Sequence, residues 1–512
     1  MNFENLSQLW LIQAPRKYWP FINSQDNYVL PLWMPALAAV AEEEGFSVKA
    51  VDCMAEQIGW QSLRQLLATK KPGIVALGEA HALFINETVK LVNLIKEVSP
   101  ETVVIAGGGH FATQAEPLLL EHPIDFIVIG EGEVTFKELL SALKSHTKDF
   151  SAIAGLVFKR EGRIHRTAPR PLISDLDTLP LPSFHSMSMN KYGTSKYLFS
   201  PDGTTIEHSR GCVFSCGFCV WWVQMADRKA IDGQEKLTPR WRTKSARRTV
   251  DEIELLQKKY GKNCFLFVDG TWNVDATWNQ DFCEEIFRRR LKINWFGFMR
   301  ADYLLRDEKS GILEKMVRSG LSHICIGAEH CSSDFLAKLQ KKTYSVNTTE
   351  EVIKLFKKKY PEVFLQTTFI VGSENESKET IRALGKYVRS LGVDFPAFHI
   401  LTPVPGTSIF EEAQAENKLE VLDFAQYDWN TPIMSTRFLS REELLYEVYL
   451  LYRGSVRLGW LLKGICSRHR YKRNMYIWWF VTTVRVVGSN FKQLIFSPRK
   501  AMGLIQPEWY DS

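Results

Sequence analysis

Three of the nine cysteines stand together in Cys212-Val-Phe-Ser-Cys216-Gly-Phe-Cys219. Thiolates on a loop this tight suit an iron–sulfur cluster, for which four cysteines are the usual complement. Three leave one iron without a protein ligand, open to a small molecule. A zinc site would want four ligands, as paired Cys-x-x-Cys or with spaced histidines. The other cysteines (Cys53, Cys264, Cys283, Cys325, Cys331 and Cys466) are scattered and form no second pair. Two glycine-rich segments lie upstream: Gly107-Gly108-Gly109-His110 and Gly130-Glu131-Gly132-Glu133. Glycines at the ends of parallel strands let a ligand approach the backbone, and helix N-termini behind them favour polar groups.

These residues need a scaffold, and the chain is long enough to supply one. It has 512 residues, 45% hydrophobic and 24% charged, which excludes a disordered, collagen-like or disulfide-stapled protein. The segments 73–78, 102–107 and 125–130 are short apolar, β-branched runs, each ending in glycine, with amphipathic stretches between them. That pattern predicts an α/β, doubly wound, Rossmann-like domain over 1–150. Five prolines interrupt the stretch that follows, which reads as a linker over 151–204. The alternation returns over 205–420 with six strand-like runs at 205–209, 264–269, 294–298, 323–327, 365–372 and 397–403. Six β/α units predict a partial (β/α)6 parallel barrel, with active groups on the loops at the C-terminal strand ends. The cysteine loop directly follows the first of these strands. Residues 421–512 read as a helical, basic and aromatic extension.

The Cys-x-x-x-Cys-x-aromatic-Cys spacing, with Phe218 as the aromatic, resembles the signature of the radical S-adenosylmethionine (SAM) enzymes. The resemblance implies a 4Fe-4S cluster on Cys212, Cys216 and Cys219, its open iron chelating the amino and carboxylate groups of SAM. The cofactor then carries the hard chemistry, reductive cleavage of SAM to a 5′-deoxyadenosyl radical, and the protein places it and excludes water. Ile326-Gly327-Ala328-Glu329 resembles the family's strand-end segment whose carboxylate contacts SAM. Phe369-Ile370-Val371-Gly372 with Glu376 resembles the strand and turn near the adenine, although Ser373-Glu374-Asn375 stands where Pro-Gly is frequent. Pro403-Val404-Pro405-Gly406-Thr407 resembles the family's P-x-P-G-T. Arg300 and Asp269 end candidate strands and are candidate polar groups of the site.

The N-terminal segments resemble the cobalamin-binding domain that one class of these enzymes carries. The matching residues are Gly108, Gly109 and His110, with Thr113 after them, then Gly130, Glu131, Gly132 and Glu133, followed by Thr135. The resemblance makes these candidate cobalamin contacts and covers about residues 28–440. No Asp-x-His-x-x-Gly loop is present, so neither His110 nor His81 is assigned to cobalt, and a domain that has lost cobalamin stays open. The class implies methylation of an unactivated carbon in an apolar, natural-product or lipid-like small molecule. Some relatives close or rearrange rings instead, as porphyrin-type cyclases do, and the sequence does not separate these outcomes. An electron donor such as a flavodoxin or ferredoxin is implied. A methylthiolating relative would carry three further N-terminal cysteines, and here only Cys53 is found.

The net charge is +6, but between residues 453 and 500 there are eleven Lys/Arg and no Asp or Glu. A mildly acidic body therefore carries a basic, aromatic tail. The tail reads as solvated packing on the barrel, a membrane-surface contact, a lid over an apolar substrate, or a nucleic-acid contact. The last belongs to a rival reading, a non-enzymatic iron–sulfur sensing module, which leaves Glu329 and the barrel unexplained. No secretory h-region or run of about 18–20 apolar residues appears, so a cytoplasmic setting with peripheral membrane contact is the expectation.

Overall fold

The computed structural model describes residues 7–17, 29–79, 81–193, 202–231, 234–341, 345–455, 458–489 and 506–512. The first sheet holds β1 (Gln8–Gln13), β2 (Ser47–Asp52), β3 (Ile74–Gly78), β4 (Val103–Gly107), β5 (Phe126–Val128), β6 (Leu156–Arg160) and β7 (Arg163–Arg166), in the order β2-β1-β3-β4-β5-β6-β7. Strands β1 to β5 are parallel. Their side chains alternate between two cores. Leu9, Leu11, Ile74 and Ala76 pack with helices Trp33–Glu43 and Gly132–Lys144. Trp10, Ile12, Val75 and Leu77 pack with helices Trp60–Lys70 and Ile85–Val98. Strands covered on both faces must be apolar at consecutive positions, which is why their runs were legible.

The expected linker over 151–204 is only partly a linker. Strands β6 and β7 extend the first sheet antiparallel to β5. They are joined by Glu161 and Gly162, both left-handed at φ 53° and 77°, the geometry of a tight hairpin turn. Leu156, Val157 and Phe158 are buried, so β6 is packed into the sheet and β7 is its edge. The proline-rich passage begins after it; of its five prolines, Pro201 lies outside the described residues.

The second sheet opens with β8 (Gly203–Ile206). Strand β9 (Ser209–Gly211) pairs antiparallel with β12 (Trp241–Thr243), and β10 (Asp227–Ile231) with β11 (Gln234–Thr238). Strands β13 (Cys264–Phe267), β14 (Asn294–Met299), β15 (Leu321–Glu329), β16 (Phe364–Val371) and β17 (Phe395–Ile400) complete a six-stranded parallel sheet in the order β17-β16-β15-β14-β13-β8. Strands that follow chain order, all parallel, with helices between them, are the expected partial barrel. Its wall is aromatic: the Trp272 and Trp295 rings lie 4.4 Å apart and both are fully buried. Much of the chain's tryptophan therefore builds core.

Helix Arg441–Ser455 packs on helix Lys378–Leu391. Helices Leu458–Ile465 and Arg470–Ser489 then cover the starts of β15, β16 and β17: the Tyr476 hydroxyl donates to Asp394 at 2.6 Å, and the Tyr471 ring meets His323 at 6.1 Å. That is the edge opposite the cysteine loop. The described part of the tail is therefore no lid over the cysteines; it is drawn instead to Phe364, an apolar group that the strand starts leave uncovered. No helix among the described residues is long and apolar enough to cross a membrane.

Candidate active site

Strand β8 ends at Ile206, and the chain turns through β9 into the cysteine loop. Gly211 precedes Cys212 at φ 81°, where a Cβ would come within 1.9 Å of the Arg240 carbonyl oxygen. Only glycine fits there. The loop is held from several sides. The Cys212 amide donates to Arg240 O, Gly217 N to Leu339 O, Ile409 N to Gly217 O, and the Trp222 indole to Cys216 O. All three thiols line one cavity of about 350 Å³, together with Phe218, Trp221, Arg300, Glu329, Lys341 and Trp429. Burial pushes the Cys216 thiol up to about 11 and the Cys219 thiol up to about 12. Free, these groups hold their protons; a cationic iron centre would displace them. Among the described residues, no three His, Cys, Asp or Glu side chains are gathered closely enough for one metal ion. Three thiols from one loop lining one open cavity are the donors a cluster with one free iron asks for, so the donor set fits the implied group.

The polar groups converge on the same cavity. Strand β15 ends in a bulge between Gly327 and Glu329, and Glu329 has φ 60°. A left-handed glutamate is strained, and such strain concentrates at functional sites. Its carboxylate lies 2.6 Å from Lys341 Nζ and accepts from the Thr368 hydroxyl at 3.4 Å. Lys341 also donates to the Gly327 carbonyl. Arg300 forms a bidentate pair with Asp302 at 2.9 Å and lies 3.8 Å over the Phe214 ring of the cysteine loop. Phe218 packs with Phe335, Leu339, Ile370 and Leu401. Gly372 lies outside the cavity lining; its amide donates to Glu376 at 2.6 Å, so Glu376 closes the turn where Pro-Gly is absent. Asp269 is a brace. It accepts from the His208 and Ser209 amides, and its carboxylate lies 2.9 Å from His208 Nδ1. Burial works against its charge, but these partners hold its carboxyl below the usual range.

The N-terminal edge faces this cavity. The His81 ring meets Trp429 at 5.3 Å and Trp221 at 6.2 Å, both nearly perpendicular, and those two tryptophans line the cavity. Burial holds His81 at about 4, so it is neutral. Gly108 has φ 97°, and a Cβ there would strike the Glu79 backbone at 2.4 Å. Gly109 abuts Gln224 of the helix after the cysteine loop, and Gly406 abuts Thr113. His110 is buried beside Phe424, which lowers it to about 4. A Cβ at Gly130 would meet open space, and one at Gly132 would touch Leu37. Glycine backbone at the C-terminal strand edge, open space at Gly130 and a neutral imidazole facing the barrel fit a large organic cofactor lodged between the sheets.

The acidic residues of the second glycine segment do something else. Glu131 pairs with Arg242 at 2.6 Å and Arg210 at 3.1 Å, and accepts from the Ile173 amide at 2.7 Å. Glu133 pairs with Arg210 at 2.7 Å. Burial opposes the Glu133 charge, but Arg210 outweighs it and holds the carboxyl below its ordinary value. Thr135 accepts from Arg170 and donates to the Ala154 carbonyl. Glu131 and Glu133, read from sequence as cofactor contacts, thus hold two arginines of β9 and β12, the strands that carry and brace Cys212. The sequence reading missed Arg210, Arg242 and Lys341. Arg210 lies two residues before Cys212, which was a usable signal. Lys341 stands in a Lys-Lys pair that reads as solvated.

Profiles of known families agree in order and extent: the B12 binding domain matches residues 19–140, and the radical SAM superfamily residues 206–388. An uncharacterized methyltransferase of Pyrococcus horikoshii is 28% identical over 86% of this chain and 91% of its own length. The anaerobic magnesium-protoporphyrin IX monomethyl ester cyclase of Rubrivivax gelatinosus is 30% identical over 83% of this chain and 73% of its own. The structure of the radical SAM methyltransferase TsrM from Kitasatospora setae, with cobalamin and a [4Fe-4S] cluster bound, superposes with a TM-score of 0.69. It covers 94% of this chain and 99% of that one, at 16% identity. With both domains matched in order and a relative at 30% identity, the chain belongs to the cobalamin-binding radical SAM enzymes.

Proposed function

We propose that the enzyme methylates an unactivated carbon of an apolar or aromatic small molecule, natural-product or lipid-like in character. The observation that carries this reading is the single cavity in which three cysteines, the Glu329–Lys341 pair and an apolar wall face the N-terminal domain through His81. The bound groups would supply one-electron cleavage of SAM and a methyl group for transfer. Cys212, Cys216 and Cys219 would hold the cluster as thiolates. Lys341 and Glu329 offer opposite charges to the carboxylate and ammonium ends of SAM. Phe214 and Phe218 exclude water around them, which a carbon radical requires. The chemical character of the substrate follows from the apolar part of the lining, Phe298, Met299, Ile370, Ile400 and Leu401, with Thr271, Thr368, His399 and Thr402 as the neutral polar groups among it. Val213 on the cysteine loop and Trp221 on the helix after it are exposed, giving an external donor of flavodoxin or ferredoxin type a short approach.

Ring closure is the second reading, favoured by the 30% identity to the R. gelatinosus cyclase. One experiment separates the two. The anaerobically reconstituted enzyme is supplied with reductant, SAM labelled in its methyl group, and a panel of lipids and tetrapyrroles. Label appearing in product supports methyl transfer. Deoxyadenosine with an unlabelled, dehydrogenated product supports ring closure. Absence of both deoxyadenosine and product across the panel would count against either.

A further inference from the structure

Helix Arg470–Ser489 has two unlike sides. One side packs on the strand starts through Met475 and Tyr476, with Lys472 Nζ 2.8 Å from Asp394, and Trp478 is buried as well. The other presents Ile477, Phe480, Val481 and Val484, spaced i, i+3, i+4 and i+7 and therefore on one face. These side chains are 40%, 43%, 36% and 55% exposed, and Leu462 of the neighbouring helix is 53% exposed. A run of apolar side chains left in water along one helix face marks a contact surface.

The charge around the stripe selects the partner. Lys463 and Arg470 on these two helices and Arg468 in the turn between them are exposed, and no acidic residue occurs from 453 to 500. A second copy of this face would bring like charges together. A nucleic acid would take the cations but leave the apolar stripe in water. A bilayer with anionic headgroups takes both, the stripe at the acyl boundary and the cations over phosphates. Spanning is not required, and no described helix could span.

We infer that the helix pair Leu458–Ile465 and Arg470–Ser489 docks the enzyme peripherally on an anionic bilayer surface, led by Ile477, Phe480, Val481, Val484 and Leu462. The face lies at the strand starts, away from the cysteines, so docking leaves the opposite edge free for SAM and substrate. This inference does not rest on methyl transfer and can fail or stand separately from it.

The test is flotation of the full-length reconstituted enzyme with phosphatidylcholine vesicles, alone and with phosphatidylglycerol admixed. Binding to the mixed vesicles is expected, weakening as salt is raised. The double variant Phe480→Ser/Val484→Ser is expected to lose at least about tenfold in binding, and Lys463→Gln about fivefold. Both should keep the wild-type melting temperature and wild-type deoxyadenosine formation, because the substituted groups are exposed and remote from the cavity. Four results would overturn the inference: no flotation with mixed vesicles, equal binding to neutral ones, binding unchanged in the stripe variant, or a dimer that the stripe variant dissolves.

Discussion

At the C-terminal edge of β8 and β13 to β17, polar and thiol groups line open space. At the C-terminal edge of the first sheet, most of the motif's charged groups are already matched. Cys212, Cys216 and Cys219 share a cavity with Glu329 and Lys341, whereas Glu131 and Glu133 are tied to Arg210 and Arg242. Glu79 is likewise paired with Arg16. Both edges carry motif residues, both are glycine-rich, and both face the same interface. The difference is where the pairs face: the Glu329–Lys341 pair borders the cavity that the thiols line, whereas Glu131 and Glu133 lie outside it, against arginines of β9 and β12. One edge keeps its chemistry for ligands; the other uses its carboxylates to hold the strands that deliver the cysteines.

The contrast can be broken by substitution. Cys216→Ala should abolish cluster assembly and SAM cleavage altogether, read by iron and sulfide content and by deoxyadenosine formation. Arg210→Ala should act on stability, because it strands buried carboxylates. A loss of roughly 3–5 kcal/mol is expected in denaturant unfolding. If Glu131 and Glu133 were instead cobalamin ligands, Glu131→Gln would weaken cobalamin binding while leaving unfolding nearly unchanged. Lys341→Gln removes one half of a buried pair facing the cavity. SAM binding should weaken by at least about tenfold, an effect of roughly 1.4 kcal/mol or more, with the cluster's iron content unchanged.

The smallest effect is in pH. Burial holds His323 at about 3 and His110 at about 4 in the folded chain, below their ordinary value near 6.5. The unfolded chain therefore binds more protons between pH 6.5 and about 4. Stability from this source is complete above pH 6.5 and declines as pH falls, by up to about 1.4 kcal/mol per pH unit for each histidine. His323→Phe should flatten the slope of unfolding free energy against pH in that window; an unchanged slope would show that His323 does not contribute to it.

Much of this was legible in the sequence because it is local. Buried parallel strands need consecutive apolar residues, so β3, β4 and most barrel strands were found within a few positions. The three cysteines lie on one short segment, and Gly211 is demanded by the turn that presents them. What was missed is non-local. Strands β6 and β7 are short, with half their side chains in water, so they read as linker. The Arg210–Glu133 pair joins residues 77 positions apart, and nothing in either segment names its partner. The same is true of the tail, whose docking site at His323, Phe364 and Asp394 is assembled from three strand starts. Lys341 meets Glu329 only because β15 bulges at its end.

The central claim is that the three-cysteine loop holds a cluster with an iron left open for SAM. The most direct measurement is anaerobic reconstitution of wild type and Cys216→Ala, followed by iron and sulfide analysis and quantification of 5′-deoxyadenosine from SAM with reductant. Wild type should carry about four irons and four sulfides per chain and release deoxyadenosine, while the variant does neither. Folded, iron-loaded wild type that leaves SAM intact, or a variant that cleaves it equally well, would contradict the account.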